Sequence, residues 1–110
     1  MRLLTAEIKR KLPAIGSTDG LGGQAPIIAK LFAPVGAATW WITEGEEEDG
    51  DWRLFGYADL YSGSGQNRSL EAELGYVMLS DLEGVQLPMG LKIERDRHYG
   101  FGHTLAEVMR

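Results

Sequence analysis

The chain has 110 residues, a formal net charge of -5, and no cysteine. One domain spanning residues 1–110 is the expected organisation, since this length supports a single core large enough to fold without disulfides or structural metal. The missing thiols exclude zinc-thiolate sites, cysteine nucleophiles and thiol redox chemistry, and the acidic balance opposes association with a phosphate backbone.

At the N-terminus, Thr5 is placed to cap a short helix through Leu12. Ala6, Ile8 and Leu12 form its apolar stripe, and Pro13 marks its end. Lys9, Arg10 and Lys11 then occupy the last turn, where the negative end of the helix dipole favours cations. The preceding apolar stretch is too short for a signal peptide, and elsewhere Pro26 and Pro34 interrupt the apolar runs, so the reading is a cytoplasmic protein that does not cross membranes.

Gly16 to Gln24 is rich in turn-forming residues and reads as a loop. Its glycines lack the lysine and the preceding strand that phosphate-binding loops require. Ile27 to Phe32 and Thr39 to Thr43 are β-branched and aromatic, with Pro34 and Gly36 between them, which predicts a β-hairpin. The next eight residues, Glu44 to Asp51, carry six acids and no base. Such a run repels itself and is expected to be a solvated loop. Trp52 to Tyr61 resumes a strand pattern, bent or bulged at Gly56, and Ser62 to Ser69 is expected to be a flexible connection.

Leu70 to Leu79 ends as a strand. Ser80 to Glu83 has the Ser-x-x-Glu capping spacing, which predicts a helix of one or two turns closed by Pro88 and Gly90. Leu91 to Tyr99 looks extended and charged, and Thr104 to Glu107 repeats the capping spacing at a C-terminal helix. The fold class expected from this order is α+β: an antiparallel sheet of about four or five strands with short N-terminal, middle and C-terminal helices.

Several segments together resemble an uncharacterised bacterial family, the domain of unknown function 2958, found on plasmids, phages and other mobile elements. The resemblance rests on Leu3-Leu4-Thr5 with Lys11-Leu12-Pro13, Lys30-Leu31-Phe32 with Pro34, Thr39-Trp40 with Thr43-Glu44, and Phe55-Gly56. Its most specific part is Glu73-Leu74-Gly75-Tyr76-Val77 with Leu79-Ser80 and Leu82-Glu83, then Ile93-Glu94-Arg95-Asp96 and Tyr99. The resemblance covers nearly the whole chain and implies a mobile-element context, but no activity or residue roles.

The densest polar cluster is Glu94, Arg95, Asp96, Arg97 and His98. In an extended segment Glu94, Asp96 and His98 share one face, and with His103 they offer oxygen and nitrogen ligands for a metal. The competing reading makes the same carboxylates partners of neighbouring arginines at an edge segment. Trp40 and Trp41 are adjacent, so in a strand their indoles face opposite sides of the sheet: either both faces are covered, or one indole is an interface anchor.

The function favoured is a non-enzymatic protein-binding module, an accessory or inhibitor of host proteins, with Trp40, Trp41, Glu94, Arg95, Asp96 and His98 as its binding residues. No catalytic residue, cofactor or metal is assigned, and the expected assembly is a monomer or weak dimer. The alternative is a small metal-dependent enzyme built on Glu94, Asp96 and His98.

Overall fold

A computed structural model describes residues 2–60 and 72–109. The adjacent tryptophans sit in the middle strand of its sheet. Five strands, β1 (Ala29–Phe32), β2 (Thr39–Glu48), β3 (Asp51–Asp59), β4 (Glu73–Met78) and β5 (Glu94–Arg95), lie in the order β4-β3-β2-β1-β5, with every pairing antiparallel. Helix α1 (Ala6–Lys11), helix α2 (Leu79–Glu83) and three short 3-10 turns complete an α+β fold, as the order of elements predicts. None of the helices among the described residues is long and apolar enough to cross a membrane.

Both faces of the sheet are covered. On one face Leu31, Ile42 and Leu54 pack with Ile8 and Leu12 of α1, Leu79 and Leu82 of α2, and Leu3, Leu4 and Ile93. On the other, Trp41 and Tyr57 pack beneath Ala25, Ile27, Leu105 and Val108. Strand alternation therefore sends Trp40 to the first layer and Trp41 to the second.

The acidic run is not a loop. β2 continues through it to Glu48, and β3 begins at Asp51. Asp49 and Gly50 form the turn between them, with φ of 52° and 83°. An Asp-Gly pair with positive φ at both residues matches the right-handed twist of the flanking strands, which is why so charged a segment still closes as a hairpin. Glu46 to Gly50 are exposed, but Glu44 is buried with 1% of its surface accessible. The bend expected at Gly56 falls in the partner strand, where the register shifts between Ile42 and Glu44. There the backbones come so close that a Cβ on Gly56 would lie 2.0 Å from the Trp41 carbonyl oxygen.

Thr5 caps α1 as expected, accepting from the Ile8 N–H at 3.1 Å. Ser80 does not cap α2. The helix starts one residue earlier, at Leu79, and the Ser80 hydroxyl donates instead to Asp51, whose carboxylate also accepts from the Ser80 and Trp52 N–H groups. At the C-terminus the capping box of Thr104 and Glu107 is present, although the element it opens is a single 3-10 turn, Leu105–Glu107. The charged segment expected to extend from Leu91 to Tyr99 contributes only the two residues of β5. The connection at Ser62 to Ser69 lies outside the described residues.

Glu44 holds the chain between α1 and β1 against the sheet. Its carboxylate accepts from the Gly16 and Thr18 N–H groups, each at 2.8 Å, and from the Thr18 hydroxyl. Burial pushes this carboxyl toward the neutral form, but the hydrogen bonds from Thr18 and Gly16 outweigh it and leave the group below the usual carboxylate range. A depressed folded value contributes stability above the unfolded value, lost as pH falls through the folded one. Glu44→Ala strips three donors of a charged acceptor, and since the loop can rehydrate some of them, the expected cost in chemical denaturation is about 3 kcal/mol. It should be accompanied by faster proteolysis within residues 16–24 and a shallower loss of stability on acidification than the wild type shows.

Candidate functional site

At the β1–β5 end of the sheet, the polar cluster meets a turn from a distant part of the chain. β5 pairs with β1 through Leu31 with Arg95 and Phe32 with Glu94, and the chain leaves β5 with the Asp96 N–H donating to the Lys30 carbonyl at 2.9 Å. The result is a cleft of about 510 Å³ whose walls are Lys30, Phe32, the loop from Ala33 to Thr39, and Glu94 to His98. A second depression of about 260 Å³ on the far side of Arg95, Asp96 and Arg97 reaches Thr5, Glu7 and Ile8. The charged segment is thus a ridge between two hollows.

The residues of the ridge divide by what they touch. Arg95 points to the N-terminal segment, where its guanidinium donates to the carbonyls of Arg2, at 3.1 Å, and Leu3. Asp96 forms an ion pair with Lys30 at 3.5 Å, both side chains largely buried, and accepts from the His98 N–H at 3.0 Å. This second bond, with the Tyr99 N–H donating to the Asp96 carbonyl, closes a turn. Glu94, Asp96 and His98 therefore do not continue on one strand face: the aspartate carries the chain into a turn before His98. Among the described residues, no three histidine, aspartate or glutamate side chains gather as they must to hold a metal ion.

His103 lies apart from these three. Its imidazole stacks on Tyr99 with ring centres 4.1 Å apart, while the Lys30 ammonium stands 5.4 Å from the centre of the Tyr99 ring. Both its nitrogens face acceptors: the Glu107 carboxylate at 3.0 Å and the Tyr99 carbonyl at 2.9 Å. Only the imidazolium can donate at both positions. The hydrogen bond with Glu107 first, and that with Tyr99 next, hold its pKa above the ordinary value of 6.5.

Four of the six residues singled out in the sequence, Glu94, Arg95, Asp96 and His98, thus line one cleft. The tryptophans do not join them. Trp41 retains 1% of its accessible surface and its ring packs 5.9 Å from that of Tyr57, so it is interior packing and not an accessible anchor. Trp40 is half-buried against the first core and borders a separate, mostly apolar hollow with Leu60 and Val77. The acidic residues are also engaged: Glu46 accepts from the Ile15 N–H at 2.9 Å, and Glu48 lies 4.0 Å from Arg53. Sequence reading missed Lys30 and the Ala33 to Thr39 loop. The available signal was a single cation inside the apolar run Ile27 to Phe32, on the strand face opposite Leu31.

An antiparallel five-stranded sheet with covered faces and a charge-lined cleft at one end defines a small α+β protein with a ligand-sized concavity. The chain belongs to the family described as protein of unknown function (DUF2958), whose profile matches residues 3–110. No curated protein and no solved structure matches it.

Two outcomes check this geometry. Arg95→Ala should cost about 1 to 3 kcal/mol in denaturant unfolding by releasing the Arg2 and Leu3 carbonyls from a charged donor, whereas His98→Ala should stay within about 0.5 kcal/mol of the wild type. The His103 contacts give a pH signature of opposite sign to that of Glu44. A raised folded pKa stabilises fully below the unfolded value near 6.5 and fades as pH rises through the folded value. Thermal unfolding followed from pH 6 to pH 9 should show this decline in the wild type and not in His103→Ala.

Proposed function

We propose that this chain is a non-enzymatic protein-binding module acting in the cytoplasm, and that the cleft between the β1–β2 loop and the Glu94 to His98 ridge is its recognition surface. The observation that supports this reading is the mixed charge of the cleft. Lys30 and Arg97 line it together with Glu94 and Asp96, beside His98 and the small residues Gly36, Ala37 and Ala38. Such a surface suits a polypeptide segment carrying both charge signs, because opposed charges fix register and reject wrong partners more than they add affinity. The mobile-element setting implied by the family resemblance makes a host protein the partner class proposed, with the chain as an accessory or inhibitor.

Reversing charge inside the cleft tests the proposal. Affinity capture from host extract followed by chemical cross-linking should retain a partner on the wild type, and equally on Glu47→Gln, a change on the distant hairpin. Glu94→Arg combined with His98→Glu should weaken that partner's binding at least tenfold, or by about 1.4 kcal/mol, with unfolding unchanged. Binding that survives the reversal, or no partner under either condition, would sink the reading.

A further inference from the structure

At the opposite end of the sheet from the cleft, β4 is the outermost strand among the described residues, paired on one side with β3. Edge strands in natural proteins are ordinarily blunted by lysine, proline, a bulge or very short length. β4 shows none of these: it runs six residues as Glu-Leu-Gly-Tyr-Val-Met, in unbroken register with β3, with one charge. Its two largest side chains on one face are exposed, Leu74 by 41% and Tyr76 by 57%. Leu74 is part of the wall of a mostly apolar hollow of about 250 Å³, with Phe55, Leu105 and Met109, and the Tyr76 ring packs 4.9 Å from that of Phe55.

We infer that β4 pairs antiparallel with β4 of a second copy of this chain about a two-fold axis at Gly75, joining two sheets into one. The sequence of the strand is self-complementary in this register. Leu74 of each copy falls opposite Tyr76 of the other, an aliphatic–aromatic cross-strand pair, and Glu73 falls opposite Val77, so no like charges meet. Each Tyr76 then stands against the Leu74 that borders the apolar hollow of the other copy.

Charge selects this arrangement over a parallel one. The acidic tip of the β2–β3 hairpin begins at Asp51, five residues along β3 from Gly56, which is the partner of Gly75. At about 3.4 Å per residue the tip stands roughly 17 Å from the axis. An antiparallel pairing sets the two tips at opposite ends, about 35 Å apart, several times the Debye length of roughly 10 Å at 0.1 M salt. A parallel pairing would bring both acidic tips to the same end. A six-residue edge is a small contact, so the dimer is a weak one in exchange with its monomer.

Sedimentation equilibrium on the full chain should show a mass that rises with concentration from one chain toward two. Leu74→Glu combined with Tyr76→Glu sets glutamates across the axis from one another and should weaken association at least tenfold, with far-UV circular dichroism confirming the fold. The register has its own test, independent of those side chains. Gly75→Cys introduces the single thiol of the chain at a position where a Cβ meets no atom within 4 Å. The two thiols lie face to face across the axis, and oxidation should yield a disulfide dimer much faster than for Gly20→Cys, a comparably open control on the loop. A wild type that keeps the mass of one chain up to about 1 mM overturns the inference. So does a dimer indifferent to the glutamates, or a thiol at Gly75 that cross-links no faster than the one at Gly20.

Discussion

The second core of this protein depends on one buried carboxylate. Glu44 lies in β2 just before the exposed acids Glu46 to Glu48, and it reaches back to draw Gly16 and Thr18 onto the sheet. That contact positions the turn from Asp19 to Gln24, after which Ala25 accepts from the Leu105 N–H, Pro26 bridges Thr104, and the Ile27 N–H donates to His103. These bonds fasten the C-terminal segment over Trp41 and Tyr57. An unpaired buried charge is costly, and here the donors of a glycine-containing loop remove that cost while the loop acquires a fixed position. One hydrogen-bonded group thereby decides whether half of the sheet has a cover.

The same economy separates the residues of the polar ridge. Arg95 and Asp96 are adjacent, yet the guanidinium holds the N-terminal segment at Arg2 and Leu3 while the carboxylate holds Lys30 and shapes a turn. Architecture and candidate recognition surface therefore overlap at Lys30, Arg95 and Asp96, which line the cleft and also hold the fold. Glu94 and His98, which flank these two anchors, are the positions best placed to change without disturbing the fold.

Local signals in the sequence were legible wherever the structure satisfied them locally. Thr5 caps the helix it precedes, the β-branched runs around Pro34 and Gly36 form a hairpin, and Thr104 with Glu107 makes its capping box. Readings went astray where a distant residue competed. The spacing at Ser80 promised a cap, but Asp51 offers a charged acceptor from another strand. The acids from Glu44 to Asp51 suggested repulsion and a loop, whereas the Asp49-Gly50 turn and pairing with β3 prevailed over it. The charges of the cleft were visible as a cluster; its other wall was not, because Lys30 and the Ala33 to Thr39 loop reach Glu94 only through pairing between segments about sixty residues apart.

That separation has a kinetic consequence. Strands β1, β2 and β3 are joined by short turns and can zip together locally, whereas β5 must close a long loop to reach β1 and gains only two paired residues when it does. Segments bound so sparingly open with less free energy than the strands at the sheet centre. Amide exchange should thus grade across the sheet, slowest in β2 and fastest beyond β1. The candidate recognition cleft sits at this seam of long loop and short ladder, so a ligand bridging its two walls would act as a stitch, raising the protection of β5 far more than that of the strands behind it.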